Sequence, residues 1–118
     1  MIKTAAIISL FLSAGATFAG QAKIENVTAR QAGGTWTFNV TIRHDDSGWD
    51  HYADAWTVNT VDGKEIGRRT LAHPHENEQP FTRSLSGVSI PEGTSKVVVR
   101  AHDSVHGWSD KTYTVKLK

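Results

Sequence analysis

Hydrophobic and polar residues alternate along most of the chain after residue 22, and this period of two predicts β-strands. The clearest case is a segment in which Trp36, Phe38, Val40 and Ile42 alternate with polar residues. Six further segments give the same signal, at 23–28, 55–60, 65–71, 81–85, 97–101 and 113–117. No segment shows a sustained helical period. Seven short strands separated by turn signals favour a single all-β domain, an antiparallel seven-stranded β-sandwich.

The predicted strands are joined by two kinds of connection. Three are short or Gly-containing, namely the turn at 29–35, the Asp62-Gly63 hairpin and the loop at 87–95. The other three are long and polar, at 44–54, 72–80 and 102–110. If successive strands alternate in direction, the loops after the second, fourth and sixth strands share one end of the sandwich. We therefore expect the three polar loops to lie together.

The segment from 84 to 101 carries a family resemblance. A hydrophobic run ending in Ile90 leads through Pro91, Gly93 and Thr94 into an alternating strand that ends at Ala101. This resembles the later strands of a fibronectin type III domain, although the Tyr usual in that family would fall near 96 or 97, where Lys and Val stand. The resemblance implies an immunoglobulin-like or fibronectin type III-like sandwich and says nothing about function.

The first nineteen residues differ from the rest and read as a secretory signal peptide. Lys3 is followed by an apolar run at 5–12, by small residues at 13–16, and by a small–large–small triplet ending at Ala19. The apolar run is much shorter than the roughly 20 residues that span a bilayer. We expect cleavage after Ala19, or else after Ala22, so that 1–19 is the signal peptide and 20–118 the β-sandwich domain. We expect a periplasmic or secreted protein with no membrane span in its mature form.

Composition then narrows the function. The sequence has 13 Lys and Arg against 12 Asp and Glu, and Lys3 leaves with the signal peptide, so residues 20–118 balance at 12 against 12. A neutral domain without a basic patch predicts no nucleic-acid partner. The sequence has no Cys and its one Met is Met1. The mature domain therefore lacks sulfur, so it forms no disulfide, and we expect no lipid-anchored form.

All six histidines fall in the three polar loops, two in each. They are His44 and His51, His73 and His75, and His102 and His106. Because these loops are expected at one end, three pairs of imidazoles should converge there, and neutral imidazole suits Zn, Cu, Ni and Fe. We predict a metal site that uses at least three of these six residues. Six imidazoles exceed one tetrahedral site, so either two sites exist or some histidines only support the ligands. His44, His75 and His102 are the favoured ligands, because they lie nearest to strand ends.

Other residues of the same loops bear on this site. His44 is in phase with the inward residues of its strand, whereas His102 is out of phase with Val97, Val99 and Ala101. Carboxylates are also frequent there and could orient the histidines or ligate directly: Asp45, Asp46, Asp50, Asp54, Glu76, Glu78, Asp103 and Asp110. Three aromatic residues of these loops are expected to cap the end and shield the cluster: Trp49, Tyr52 and Trp108.

A site of imidazole and carboxylate ligands without sulfur fits Zn(II) or Cu(II) best. Metal binding should weaken as the pH falls from about 6 to 5, because ligating imidazoles must be neutral. We predict a metal-binding protein for storage or delivery of Zn or Cu, rather than an enzyme. Two alternatives remain. One is a recognition module that binds a carbohydrate or a periplasmic protein through these loops, and the other is a small metal-dependent redox enzyme.

Overall fold

The computed structural model describes residues 20–117, and the predicted signal peptide lies outside this range. The described chain contains eight β-strands: β1 (Lys23–Ala32), β2 (Thr35–Arg43), β3 (Ala53–Asn59), β4 (Glu65–Thr70), β5 (Phe81–Val88), β6 (Lys96–Asp103), β7 (Gly107–Trp108) and β8 (Tyr113–Lys116). Among residues 20–117, no helix has the length and apolar character needed to cross a bilayer. The expectation of an all-β chain is therefore confirmed for this range.

The strands form two antiparallel sheets. The first has the order β1-β2-β5, and the second has the order β4-β3-β6-β7, with β8 also paired to β6. The strand count exceeds the predicted seven by one, because the two-residue strand β7 pairs with the end of β6 inside the predicted loop 102–110. β1 also runs four residues further than predicted, since its pairing with β2 continues to Ala32 and Thr35. Gly33, with a φ of 67°, supplies the left-handed turn that this tight connection requires.

One apolar cluster lies between the sheets and receives side chains from both. The alternating residues of three strands form its centre, and all are almost fully buried: Phe38, Val40 and Ile42 of β2, Trp56 and Val58 of β3, and Val97, Val99 and Ala101 of β6. Burial of apolar side chains of this size contributes about 1.5–3 kcal/mol each relative to exposure. The alternation of apolar and polar residues therefore determines which face of each sheet packs into the core.

The inward faces of β2 and β6 both end in a polar residue at the same end of the fold. On β2 the buried series passes Ile42 and continues to His44, which is 4% exposed. On β6 the series passes Ala101 and continues to Asp103, which is 0% exposed. Because side chains two apart in a strand point to the same face, the strands themselves aim these two groups into the end of the core.

Hydrogen bonds donated by backbone N–H groups join the three polar loops, which lie at one end as the alternating strand directions predicted. The N–H of His75 donates to Asp46 at 2.6 Å, which links the β4–β5 loop to the β2–β3 loop. The N–H of Ser104 donates to the carbonyl of Tyr52 at 2.9 Å, which links the β6–β7 turn to the β2–β3 loop. These contacts hold the ends of β2, β4 and β6 together around His44 and Asp103.

Candidate metal centre

Three side chains, His44, His51 and Asp103, bring one ligand atom each to within 4.8 Å of one another. The Nε2 atoms of the two histidines are 3.2 Å apart. His51 Nε2 lies 3.2 Å from Asp103 Oδ1, and His44 Nε2 lies 4.0 Å from Asp103 Oδ2. His44 and Asp103 are buried, whereas His51 is partly exposed. Two imidazole nitrogens and a carboxylate thus face one small volume at the surface end of the core.

His106 lies beside this group on its solvent side. Its Nδ1 atom is 3.2 Å from Asp103 Oδ1, and its ring centroid is 4.9 Å from that of His51. Its side chain is 37% exposed. His106 thus adds a third imidazole beside Asp103, and three imidazoles with a carboxylate are ligands that suit tetrahedral Zn(II).

Asp46 fixes the orientation of the His44 ring. Its Oδ1 atom lies 2.6 Å from His44 Nδ1 and also accepts the N–H of Ala53 at 3.0 Å. Its Oδ2 atom accepts the N–H of His75. In the neutral ring, a carboxylate at this distance favours the proton on Nδ1, which leaves the lone pair on Nε2. This carboxylate–imidazole pairing is the arrangement that orients histidine ligands in metal sites.

The atoms around His44 Nε2 are mostly hydrogen-bond acceptors. The carbonyl oxygen of Gly20 is 3.1 Å from Nε2, and Asp103 Oδ2 is buried with no hydrogen-bond partner among residues 20–117. His51 can donate its Nε2–H to Asp103 Oδ1, but the other acceptors still face one another. Buried acceptors without donors are costly. A cation placed among them would satisfy all of them at once, whereas a second proton on His44 would serve only one contact.

Asp103 is held as a carboxylate by its own turn. Burial opposes its ionisation, but its Oδ1 atom accepts the N–H groups of His106 at 2.7 Å and Val105 at 2.9 Å. These bonds, together with the electrostatic influence of His44 and His106, outweigh the desolvation, and the pKa of Asp103 is lowered from its ordinary value. The group is therefore negatively charged at neutral pH and able to bind a cation.

A cavity of about 190 Å³ opens beside His44. Its lining includes Gly20, Lys23 and Arg43, and Arg43 forms an ion pair with Glu25 at 2.8 Å. Gly20 and His44 therefore lie on the wall of the same opening.

The other three predicted ligands are not brought to this group. His102 lies on the outer face of its sheet, with Nδ1 2.6 Å from Asp54 and its ring edge-on to Trp108. His75 is buried and stacks on Phe81 with ring centroids 4.0 Å apart. Burial lowers its pKa from the ordinary value, and the positive charge of Arg83 acts in the same direction. His73 Nδ1 lies 3.0 Å from the carbonyl of its neighbour Pro74.

Of the favoured ligand set of His44, His75 and His102, only His44 belongs to the group that the structure brings together. Strand parity explains His102, because β6 continues to Asp103 and its pleat turns His102 outward and Asp103 inward. Asp103 was expected only as one carboxylate among eight. The alternation that runs through Val97, Val99 and Ala101 was the signal that could have singled it out.

The expected shielding by loop aromatics also differs from the structure. Trp49 is 67% exposed and contacts Tyr52 edge-on at 5.5 Å. Trp108 lies on the outer face of the second sheet, with the guanidinium groups of Arg100 and Arg68 at 4.8 and 5.6 Å from its ring. Neither indole covers the histidine and aspartate group.

Comparisons with known proteins give one relative in sequence and one similar structure, but no family. No family model matches it. A Halomicrobium mukohataei protein whose name reads "Putative lipoprotein" is 47% identical over 96 residues, which are 80% of this chain and 47% of that protein. The chain therefore spans about half the length of this relative. A crystal structure of a hypothetical protein from Pyrococcus horikoshii OT3 superposes with a TM-score of 0.53 over 82% of this chain and 87% of that chain, at 13% identity. At this identity the likeness concerns the fold alone, so the chemistry of the site rests on this chain's own residues.

Proposed function

We propose that the protein binds one Zn(II) or Cu(II) ion outside the cytoplasm and serves in storage or delivery of the metal. The ion would be held by His44, His51 and Asp103, with His106 as a fourth ligand. The observation that carries this proposal is that ligand atoms of His44, His51 and Asp103 lie within 4.8 Å of one another, beside a buried Asp103 oxygen that has no hydrogen-bond partner among residues 20–117. The negative charge of Asp103 matches a divalent cation there.

The donor set supports a borderline metal. Imidazole nitrogens suit Zn(II) and Cu(II), and residues 20–118 contain no Cys or Met to hold a softer ion. The partly exposed His106 and the adjacent cavity leave one side of the centre accessible. A site with buried ligands on one side and an exchangeable ligand on the other suits reversible binding, as storage or delivery requires.

The location outside the cytoplasm is part of the same proposal. The charged, apolar and small-residue order of positions 1–19 favours export with cleavage after Ala19. The name of the Halomicrobium relative also refers to an extracytoplasmic class of protein. Together these observations favour a periplasmic or secreted form. The strand orders β1-β2-β5 and β4-β3-β6-β8 further support an immunoglobulin-like or fibronectin type III-like sandwich as its scaffold.

Calorimetric titration with Zn(II) and Cu(II) tests the metal proposal. Tag-free protein beginning at Gly20 should bind one ion per chain. The variants His44→Gln and His51→Gln should each weaken binding by more than about 100-fold, because each removes a ligand. His102→Gln is the matched control, since His102 is also paired with a carboxylate but lies outside the centre. Absence of stoichiometric binding, or equal losses in all three variants, would contradict the proposal.

A recognition module is the second candidate, and the exposed residues beside the centre favour it. Trp49 and Val105 are 67% and 57% exposed, and Tyr52 lies against Trp49. Exposed aromatic residues on loops are common anchors for sugars and proteins. Binding on a glycan array or to an isolated periplasmic protein, abolished by Trp49→Ala and independent of metal, would favour this function. Binding that is unaffected by Trp49→Ala would remove its support.

A further inference from the structure

The main chain of Gly20 lies at the metal centre although no sequence pattern pointed to it. Its carbonyl oxygen is 3.1 Å from His44 Nε2, and Gly20 and His44 line the same cavity. We propose that the α-amino group of Gly20, created by cleavage after Ala19, is itself a metal ligand together with its carbonyl oxygen. This inference rests on the proposed metal-binding function and names a ligand of that same site.

The chain around Gly20 is held in place by the last part of the fold. Ala22 is buried, and its carbonyl accepts the hydroxyl of Ser109 at 2.6 Å. The side-chain oxygen of Gln21 accepts the N–H of Asp110 at 2.7 Å. Two consecutive residues are therefore tied to the β7–β8 connection. This anchoring presents Gly20 to His44 in a fixed position, as a preorganised ligand requires.

The contact between the Gly20 oxygen and His44 Nε2 needs either a proton or a metal ion between the two atoms. Asp46 holds the His44 proton on Nδ1, so the Nε2 lone pair and the Gly20 carbonyl oxygen face each other. Neither atom can donate a hydrogen bond to the other in this form. A metal ion bound to both would turn this repulsive contact into a shared one. The carbonyl is thus aimed at the place where the ion would lie.

Cleavage changes what the nitrogen of Gly20 can do. In the uncleaved chain it is an amide nitrogen, whose lone pair is delocalised into the peptide bond. Hydrolysis of the Ala19–Gly20 bond consumes one water molecule. It leaves a carboxylate on Ala19 and an amine on Gly20. The α-amine has a pKa of about 8, so its neutral form is accessible near neutral pH. The amine nitrogen and the carbonyl oxygen of one residue then close a five-membered chelate ring on the metal.

The consequence is that the site becomes complete only after export. The precursor offers the side-chain ligands and the Gly20 carbonyl oxygen, whereas the processed chain adds the amine nitrogen and so strengthens the hold on the ion. Metal loading is thereby coupled to removal of the signal peptide. An ion would be bound tightly where the processed protein resides and only weakly by the precursor.

Three chains of defined N-terminus test this inference with Zn(II) alone. The first begins at Gly20, the second is the same chain with an acetylated α-amine, and the third retains Ala19. We expect acetylation or retention of Ala19 to weaken Zn(II) binding by at least tenfold. The thermal unfolding temperature of the metal-free protein should be the same in all three, because the anchoring bonds of Gln21 and Ala22 remain.

The chemical reactivity of the amine provides a second measurement. In the chain that begins at Gly20, bound Zn(II) should protect the α-amine from acylation by an activated ester, as read by mass spectrometry of the N-terminal peptide. His102→Gln should retain this protection, whereas His44→Gln should lose it. Equal Zn(II) affinity in all three chains and an unprotected amine would overturn the role of Gly20 while leaving the proposed metal site intact. Binding in none of the chains would overturn both.

Discussion

Replacing Asp103 by asparagine separates a role in metal binding from a role in holding the turn. Asp103 Oδ1 accepts the N–H groups of Val105 and His106, and Oδ2 has no partner among the described residues. The side-chain oxygen of asparagine can keep both bonds to the turn. Its amide nitrogen then replaces Oδ2, 4.0 Å from His44 Nε2. A shift of about 1 Å would let this amide donate to that lone pair.

The two effects of Asp103→Asn on metal-free protein are of opposite sign. Loss of the negative charge weakens each of the two turn hydrogen bonds by about 1 kcal/mol. Two changes act the other way: an unpartnered buried carboxylate oxygen is removed, and one new hydrogen bond forms. Together they raise the free energy of unfolding by about 1.5–3 kcal/mol. The free energy of unfolding without metal should therefore stay within about 1 kcal/mol of the wild type. Zn(II) affinity should fall by more than about 100-fold, or about 2.7 kcal/mol, because the charged ligand is gone.

Urea unfolding of the metal-free proteins and calorimetric titration with Zn(II) measure these two quantities separately. Asp103→Ala is the matched control, because it also removes the acceptor of the turn and should lower both stability and affinity. The reasoning would be refuted if Asp103→Asn retained wild-type affinity for Zn(II) but lost more than about 3 kcal/mol of metal-free stability. Asp103 would then serve the turn alone.

Two further substitutions test the packing, one beside the site and one between β4 and β5. His75 has a pKa below its ordinary value because it is buried, so wild-type stability should decline as the pH falls below about 6.5, the pKa in the unfolded chain. His75→Phe should remove the part of this loss of stability that is due to His75, as measured by urea unfolding between about pH 7 and 5. A pH dependence equal to that of the wild type would contradict this role of His75. In Gly67→Ala the new methyl group would lie 3.0 Å from Leu85 Cδ2 and 3.3 Å from Val88 Cγ2. It should lower the free energy of unfolding by about 1–3 kcal/mol, whereas unchanged stability would show that these side chains move freely.

Alternation of hydrophobic residues was enough to predict the strands that form the core. It succeeded for β2 and β6 because their inward residues are large and apolar without interruption. It failed for the second half of β1, where only Ala29 and Ala32 are apolar, and for β7, which has two residues. Those segments form strands because their backbones pair with the neighbouring strands β2 and β6. Backbone pairing alone leaves no hydrophobic pattern in the sequence.

The candidate site was predictable at the level of the loops but not of each residue. Strand direction alone indicated that the three polar loops share an end, and parity indicated that His44 points inward. The choice between His102 and Asp103 depended on how far β6 extends, and the place of His51 and His106 depended on turns within their loops. The approach of Gly20 depends on the hydrogen bonds of Gln21 and Ala22 to residues almost ninety positions away.

Anomalous X-ray diffraction from crystals of the processed protein loaded with Zn(II) tests the metal centre most directly. Data collected on both sides of the zinc absorption edge locate the ion without assumptions about its ligands. We expect one peak per chain, at about 2.0–2.1 Å from the Nε2 atoms of His44 and His51 and about 2.0–2.2 Å from a carboxylate oxygen of Asp103. A fully occupied peak elsewhere, such as between His73 and His75, or no peak in protein that remains folded, would contradict the assignment.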